Sequence, residues 1–283
     1  MTHPEEGGRG AAAGPTVCYR HADRPTFAGC QRCGRTICGE CQTPAAVGMH
    51  CPECTAAARA SAPRVASPMA RAFRRGSTTP VVTYSIIALT LAVYVTQWVS
   101  QGAVTTALGY APALTLDEPW RMLTTALVHS QRSIFHLLFN MYSLFILGPL
   151  LESFIGRARL LAVYVLSALG GSVAVLYLAP ATFVIGASGA IFGLFGAFFI
   201  VQRRLGGSSI QFIVLIGLNL GLGFIVPGIS WQAHVGGLLV GVLIALVLVR
   251  TRRASQQRAQ AAALAGIAVA LAVATVLRFA ALL

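Results

Sequence analysis

The chain has 283 residues, of which 56% are hydrophobic and 10% charged, and its 21 basic against 8 acidic residues give a formal charge of +13. Apolar content this high, falling almost wholly after residue 80, excludes a soluble globular protein. Every basic residue is Arg, placed mainly beside apolar runs; membrane topology and anionic lipid account for the charge more economically than nucleic acid, which is not an expected partner.

Residues 1–14 are polar and Gly-rich and read as disordered, with no secretory signal peptide expected. Residues 15–56 hold all seven cysteines, as Cys18-x-x-His21, Cys30-x-x-Cys33, Cys38-x-x-Cys41 and Cys51-x-x-Cys54. Four pairs supply eight ligands, enough for two tetrahedral Zn²⁺ sites. Disulfides are the alternative, and an odd cysteine count in a reducing, cytoplasmic location argues against them.

The spacing resembles a cross-braced finger of the B-box type. That resemblance implies one ion on Cys18, His21, Cys38 and Cys41 and a second on Cys30, Cys33, Cys51 and Cys54. Consecutive pairing would use the same residues, and His50, next to Cys51, is a weaker alternative ligand. So small an apolar content leaves zinc to supply most of the folding energy. With no coordination position left open, the expected role is regulation or recognition of a cytoplasmic partner. Residues 57–79, rich in Ala, Ser, Pro and Arg, read as a flexible basic linker.

From residue 80 to 283 the pattern is that of an all-α polytopic membrane domain. Seven apolar runs approach the length needed to cross about 30 Å of hydrocarbon: Val81 to Val99, Ile134 to Leu151, Leu160 to Leu178, Gly186 to Val201, Ile210 to Val226, Ala233 to Val249, and Ala261 to Leu277. The fourth is the shortest. Arginines fix the orientation: Arg71, Arg74, Arg75, Arg157, Arg159, Arg203, Arg204, Arg250, Arg252, Arg253 and Arg258 lie on one side, against Arg121, Arg132 and Arg278 on the other. The positive-inside rule then makes the N-terminus cytoplasmic and, with seven spans, the C-terminus non-cytoplasmic. Arg-, Ala- and Gly-rich usage points to a GC-rich bacterial genome, hence a bacterial plasma membrane.

Four polar residues within these runs are candidates for chemistry. His136 and Asn140 are four apart in the second and share a face. Ser188 lies near the start of the fourth and His234 near the start of the sixth, so both fall within about a turn of the non-cytoplasmic helix ends, at one depth. Polar groups in lipid are costly unless they have a partner or a function. Gly237 and Gly241 share the face of His234, while Gly189, Gly193 and Gly196 form a stripe beside Ser188, a pattern that lets helices approach closely. Ser188 near a helix N-terminus also has unpaired backbone N–H groups at hand for a developing oxyanion. No acidic residue lies within a span except Glu152, at the end of the second, so a Ser-His dyad is expected rather than a triad.

The patterns His136-x-x-x-Asn140, Gly186-x-Ser188-Gly189 and Ala233-His234-x-x-Gly237-x-x-x-Gly241, with Trp120-Arg121 and with Glu152 and Gly156, resemble the rhomboid family of intramembrane serine proteases. The resemblance covers most of residues 80 to 250 and implies a six-helix bundle, here with one further C-terminal transmembrane helix. By motif it implies Ser188 as nucleophile, His234 as general base, and His136 and Asn140 as oxyanion donors. Phe192, one turn below Ser188, is placed to stack on the imidazole where some relatives carry tyrosine. In relatives the loop corresponding to Ser100 to Ser133 lies partly in the membrane beside the site. Within it Arg121 reads as an interfacial anchor and His129 as structural.

The expected function is cleavage of transmembrane protein substrates near the non-cytoplasmic membrane face, with no cofactor in catalysis. The alternative is a rhomboid-like protein that binds clients without cutting, the zinc finger serving as docking module. A transporter is a weaker reading, since the spans show neither an ion-coupling acid nor an evident inverted repeat.

Overall fold

The computed structural model describes residues 16–61, 79–204, 210–226 and 228–280. Residues 1–14, read as disordered, and most of the linker, 62–78, lie outside the described residues. The chain divides into two compact units, Met1–Ala66 and Ser67–Leu283.

The first unit contains two short antiparallel ladders, β1 (Thr16–Val17) with β2 (Pro25–Thr26) and β3 (Thr43–Pro44) with β4 (Met49–His50). Helix α1, Pro52–Ser61, follows and reaches five residues into the segment read as linker. The core is made of Cys18, Cys30, Cys38, Cys41 and Cys51 around one aliphatic side chain, fully buried Ile37. Thr26 crosses this core, its hydroxyl donating to the Ile37 carbonyl at 2.8 Å. A single aliphatic residue cannot offset the ordering entropy of about forty residues at 1–2 kcal/mol each. The rest of this core is cysteine.

The second unit is helical. Its long elements are α2 (Val81–Val99), α5 (Ile134–Ile155), α6 (Arg157–Leu178), α7 (Ser188–Arg204), α8 (Ile210–Ile225), α9 (Trp231–Arg250) and α10 (Gln257–Ala280). Between α2 and α5 come two short helices, α3 (Ala103–Leu108) and α4 (Arg121–Thr124). All seven apolar runs fall in helices, and among the described residues five are long and apolar enough to cross a membrane. At 17 and 16 residues, α7 and α8 extend only about 24–26 Å.

Two devices fix the ends. Gly156 alone separates α5 from α6, with φ +85° and ψ 164°, a conformation that costs side-chain-bearing residues about 1–3 kcal/mol. One turn earlier, buried Glu152 accepts from the backbone N–H of Val82 (3.0 Å), the N–H of Thr83 (2.9 Å) and the Thr83 hydroxyl (2.7 Å). It caps the start of α2 from a different helix. Its carboxylate satisfies orphan donors and faces the positive end of the helix dipole.

The core lies where α9 packs against α7 and α6. Helix α10 rests mainly on α6, and Gln260 is its one buried residue among those described. Gln260 accepts from Arg159 at 2.7 Å and donates to the Thr251 hydroxyl at 2.8 Å. At the other end, the Tyr177 hydroxyl donates to the Ala274 carbonyl at 2.7 Å. Between Arg258 and Arg278 the rest of α10 is mostly Ala, Val and Leu that lipid can cover.

Candidate active site and metal-binding groups

The segment read as a long connector, Ser100 to Ser133, is folded and clamps the chain ahead of Ser188. Fully buried Gln97 organises one end: its amide donates to the Thr105 hydroxyl (2.6 Å) and the His129 carbonyl (2.8 Å) and accepts from the His129 N–H (3.0 Å). At the other end Tyr110 and Val184 exchange both backbone hydrogen bonds, at 2.9 and 2.8 Å. The Thr125 hydroxyl donates to the Val184 carbonyl at 2.7 Å, and the Gly186 N–H donates to the Thr125 carbonyl at 2.9 Å.

Arg121 is the keystone of this loop rather than an interfacial anchor. It is 6% exposed, pairs with Glu118, and donates to the carbonyls of Thr106 and Gly109, the latter at 2.9 Å. A planar fork with five donors closes a turn of free carbonyls better than it serves at a headgroup interface.

Gly186 leaves this clamp with φ +121°, and a Cβ there would stand 2.7 Å from His136 Nε2. Ser188 is the first residue of α7, so its own and the next amides open a helix without intrahelical acceptors. His234 is the fourth residue of α9, whose first turn is capped by the Ser230 hydroxyl accepting from the Ala233 N–H at 3.3 Å.

His234 Nε2 and Ser188 Oγ are 2.8 Å apart. Glycine makes this possible. A Cβ on Gly237 would strike the Gly189 carbonyl, and one on Gly241 the Gly193 carbonyl, so α7 and α9 touch backbone to backbone. The Phe192 ring stacks on the imidazole with centroids 4.1 Å apart and planes at 12°. His234 Nδ1 is buried without a hydrogen-bond partner among the described residues. Orientation of the ring therefore comes from the Phe192 face and the Ser188 hydroxyl.

His136 and Asn140 lie on one face of α5. The Ser130 N–H approaches His136 Nδ1 at 3.4 Å, which assigns the ring proton to Nε2; that nitrogen lies against Gly186, two residues before Ser188. Asn140 is buried and spends one amide N–H on the His136 carbonyl at 2.7 Å, leaving a second donor. His129, read as merely structural, belongs to this cluster: it is fully buried, tilted against His136 at 5.2 Å, and meets the Ala187 N–H at 3.5 Å. A histidine seven residues before His136 in an apolar loop was the available signal. A cavity of about 20 Å³ bordered by Ser188, Thr125 and Ser172 adjoins the site, room for one water.

In the N-terminal unit two groups can hold a metal ion: Cys18, His21, Cys38 and Cys41, and Cys30, Cys33, Cys51 and Cys54. The ligand atoms of each lie within 4.8 Å of one another. His21 Nδ1 is 3.7, 3.3 and 3.5 Å from the sulfurs of Cys18, Cys38 and Cys41, and the Cys33 and Cys51 sulfurs are 3.7 Å apart. A tetrahedron with 2.3 Å metal–sulfur bonds spaces its ligands by about 3.8 Å, so the donor sets fit a zinc-sized ion. Alternate pairs are the ones brought together. His50 sits in β4 opposite Thr43, outside both groups. Beside the first group Arg24 bonds Glu40 at 2.7 Å and holds that carboxyl below the usual carboxylate range.

Residues 116–251 match the family model described as a rhomboid domain. The candidate rhomboid protease YdcA of Bacillus subtilis (strain 168) is 36% identical over 153 residues, 52% of this chain and 76% of that protein. Rhomboid protease GluP of the same organism is 34% identical over 190 residues, covering 63% of this chain and 36% of GluP. RHOMBOID-like protein 4 of Arabidopsis thaliana is 32% identical over 139 residues, 47% of this chain and 34% of that protein. The chain thus spans three quarters of YdcA but about a third of the other two. Motif order, helix arrangement and similarity across the apolar unit agree: the chain is an integral membrane protein that belongs to the rhomboid family.

Proposed function

We propose that this protein is an intramembrane serine endopeptidase that cleaves transmembrane proteins with Ser188 as nucleophile and His234 as general base. The observation that carries this reading is the 2.8 Å contact between Ser188 Oγ and His234 Nε2, made by two glycine-packed apolar helices. His234 Nε2 takes the hydroxyl proton as Oγ attacks the substrate carbonyl, and returns it to the leaving amine. A water then hydrolyses the acyl-enzyme by the same proton route. With no carboxylate behind Nδ1, the imidazolium that forms is stabilised by the face of Phe192, a cation–π contact.

The oxyanion requires donors aimed before the reaction starts. The amides that open α7, His136 Nε2–H and the free N–H of Asn140 supply them in this reading, each worth about 10²–10³ in rate. His129 acts through others: it holds the Ala187 amide and backs the His136 ring. The chemistry lies at the ends of α7 and α9 remote from Arg203 and Arg250. By the positive-inside rule that end is non-cytoplasmic, and Arg-, Ala- and Gly-rich usage supports a bacterial plasma membrane.

Residues 15–56 act as a finger that binds two Zn²⁺, cross-braced, with the four ligands of each group closing its ion's coordination. The ions supply folding energy, and the finger docks a cytoplasmic partner. In this reading residues 57–79 tether it to the membrane domain of 80–283.

The test is cleavage of a model single-span protein co-reconstituted in liposomes. Wild type should release two fragments cut near the non-cytoplasmic end of the span, and Ser188→Ala none. Substrate that co-purifies intact with well-folded wild type would instead support the client-binding alternative.

A further inference from the structure

The ends of α7 and α9 opposite the Ser–His pair enclose a second feature, a cavity of about 790 Å³. Five arginines line it: Arg203 and Arg204 from the last turn of α7, Arg250 from the end of α9, and Arg252 and Arg253 just beyond. No acidic residue lines it, and none of the five forms an ion pair among the described residues. Two helix C-termini point here, together equivalent to roughly one negative charge. Helix dipoles therefore balance about one of five positive charges and leave the rest for an external anion.

The other wall identifies the anion's source. Half-buried Ile200, Leu246 and Val249 line the same cavity, up to about one turn closer to the helix centres than the arginines. A free phosphate needs only the cationic rim. An amphiphile with a phosphate head and apolar chains satisfies both walls, and guanidinium forks hold phosphate oxygens bidentately.

We propose that this cavity is a binding site for an anionic phospholipid, the phosphate held among Arg203, Arg204, Arg250, Arg252 and Arg253 and an acyl chain laid along Ile200, Leu246 and Val249. The lipid thereby ties together the far ends of the two helices whose near ends carry Ser188 and His234. The site does not depend on proteolysis and is tested without it.

The full-length protein in a neutral detergent is titrated with soluble short-chain phosphatidylglycerol, phosphatidylcholine and inorganic phosphate, with binding followed by native mass spectrometry. The expected result is saturable phosphatidylglycerol binding at least tenfold tighter than phosphatidylcholine and weakened by added salt. That preference should fall at least tenfold in R203Q/R252Q/R253Q and persist in R59Q/R132Q/R258Q, which removes as many arginines elsewhere. Equal wild-type affinity for the two lipids overturns the proposal whether or not the triple variant folds. Inorganic phosphate competing mole for mole also overturns it, by showing a soluble anion site without a lipid wall.

Discussion

Gly237→Ala tests the packing that builds the proposed active site, because it adds one methyl at the closest approach of α7 and α9. That carbon would overlap the Gly189 carbonyl oxygen and stand 2.7 Å from its carbon and 3.2 Å from the Gly189 Cα, where ordinary contact begins at 3.4 Å. All three are backbone atoms, so no side chain can rotate away. The helices must part locally by roughly 1 Å, at a cost of about 1–3 kcal/mol for overpacking. The Ser188–His234 contact lies less than one turn away and opens from 2.8 Å to beyond hydrogen-bond range. Misplacement of about 1 Å reduces rate by about 10²-fold. Cleavage rate and thermal unfolding are measured on Gly237→Ala beside Gly266→Ala, whose added methyl meets nothing within 4 Å. Gly266→Ala should keep the wild-type rate and melt no lower than wild type, since Ala favours a helix interior over Gly. A Gly237→Ala protein with wild-type rate and melting temperature would refute the close-packing account.

Three further outcomes follow from other contacts. Glu152→Ala strips three hydrogen bonds from the start of α2 and should lower stability in detergent by about 2–3 kcal/mol, with Glu152→Gln losing less because an acceptor remains; equal stability of all three proteins would show that the cap contributes nothing. Gly186→Ala places a methyl against His136 Nε2 on a backbone at φ +121°, so peptidase activity should fall at least 10²-fold while the helical fold persists, read by cleavage rate and circular dichroism. Metal analysis separates the two ligand pairings: with cross-bracing, Cys18→Ser/Cys38→Ser loses one zinc ion and Cys18→Ser/Cys30→Ser loses both. Consecutive pairing would reverse that pattern.

Helices were legible in the sequence wherever apolar residues run without interruption, because length and hydropathy alone decide what can sit in lipid. Ends were less so. The fourth run reads as opening at Gly186, yet the helix starts at Ser188, since the Thr125 and Val184 contacts hold Gly186 in an extended turn. The loop before it carries no helix-length pattern, and its order comes from Gln97, Arg121 and the Tyr110–Val184 pair, contacts 8 to 74 residues apart in the chain. Such pairings leave no local trace. Ser188 and His234 stood out because a polar residue in an apolar run must have a reason. His129 did not, because a loop tolerates polar residues without one. Glu152 read as a motif position with no stated task, and only the arrangement of α2 beside α5 gives it one.

The central claim is an activated Ser188, and the most direct measurement is labelling of the purified protein in lipid by a serine-reactive fluorophosphonate, with the modified residue mapped by mass spectrometry. The account predicts one adduct, on Ser188, absent from Ser188→Ala and reduced by at least two orders of magnitude in His234→Ala. Folded wild type that takes up no label, or equal labelling of His234→Ala, would contradict it.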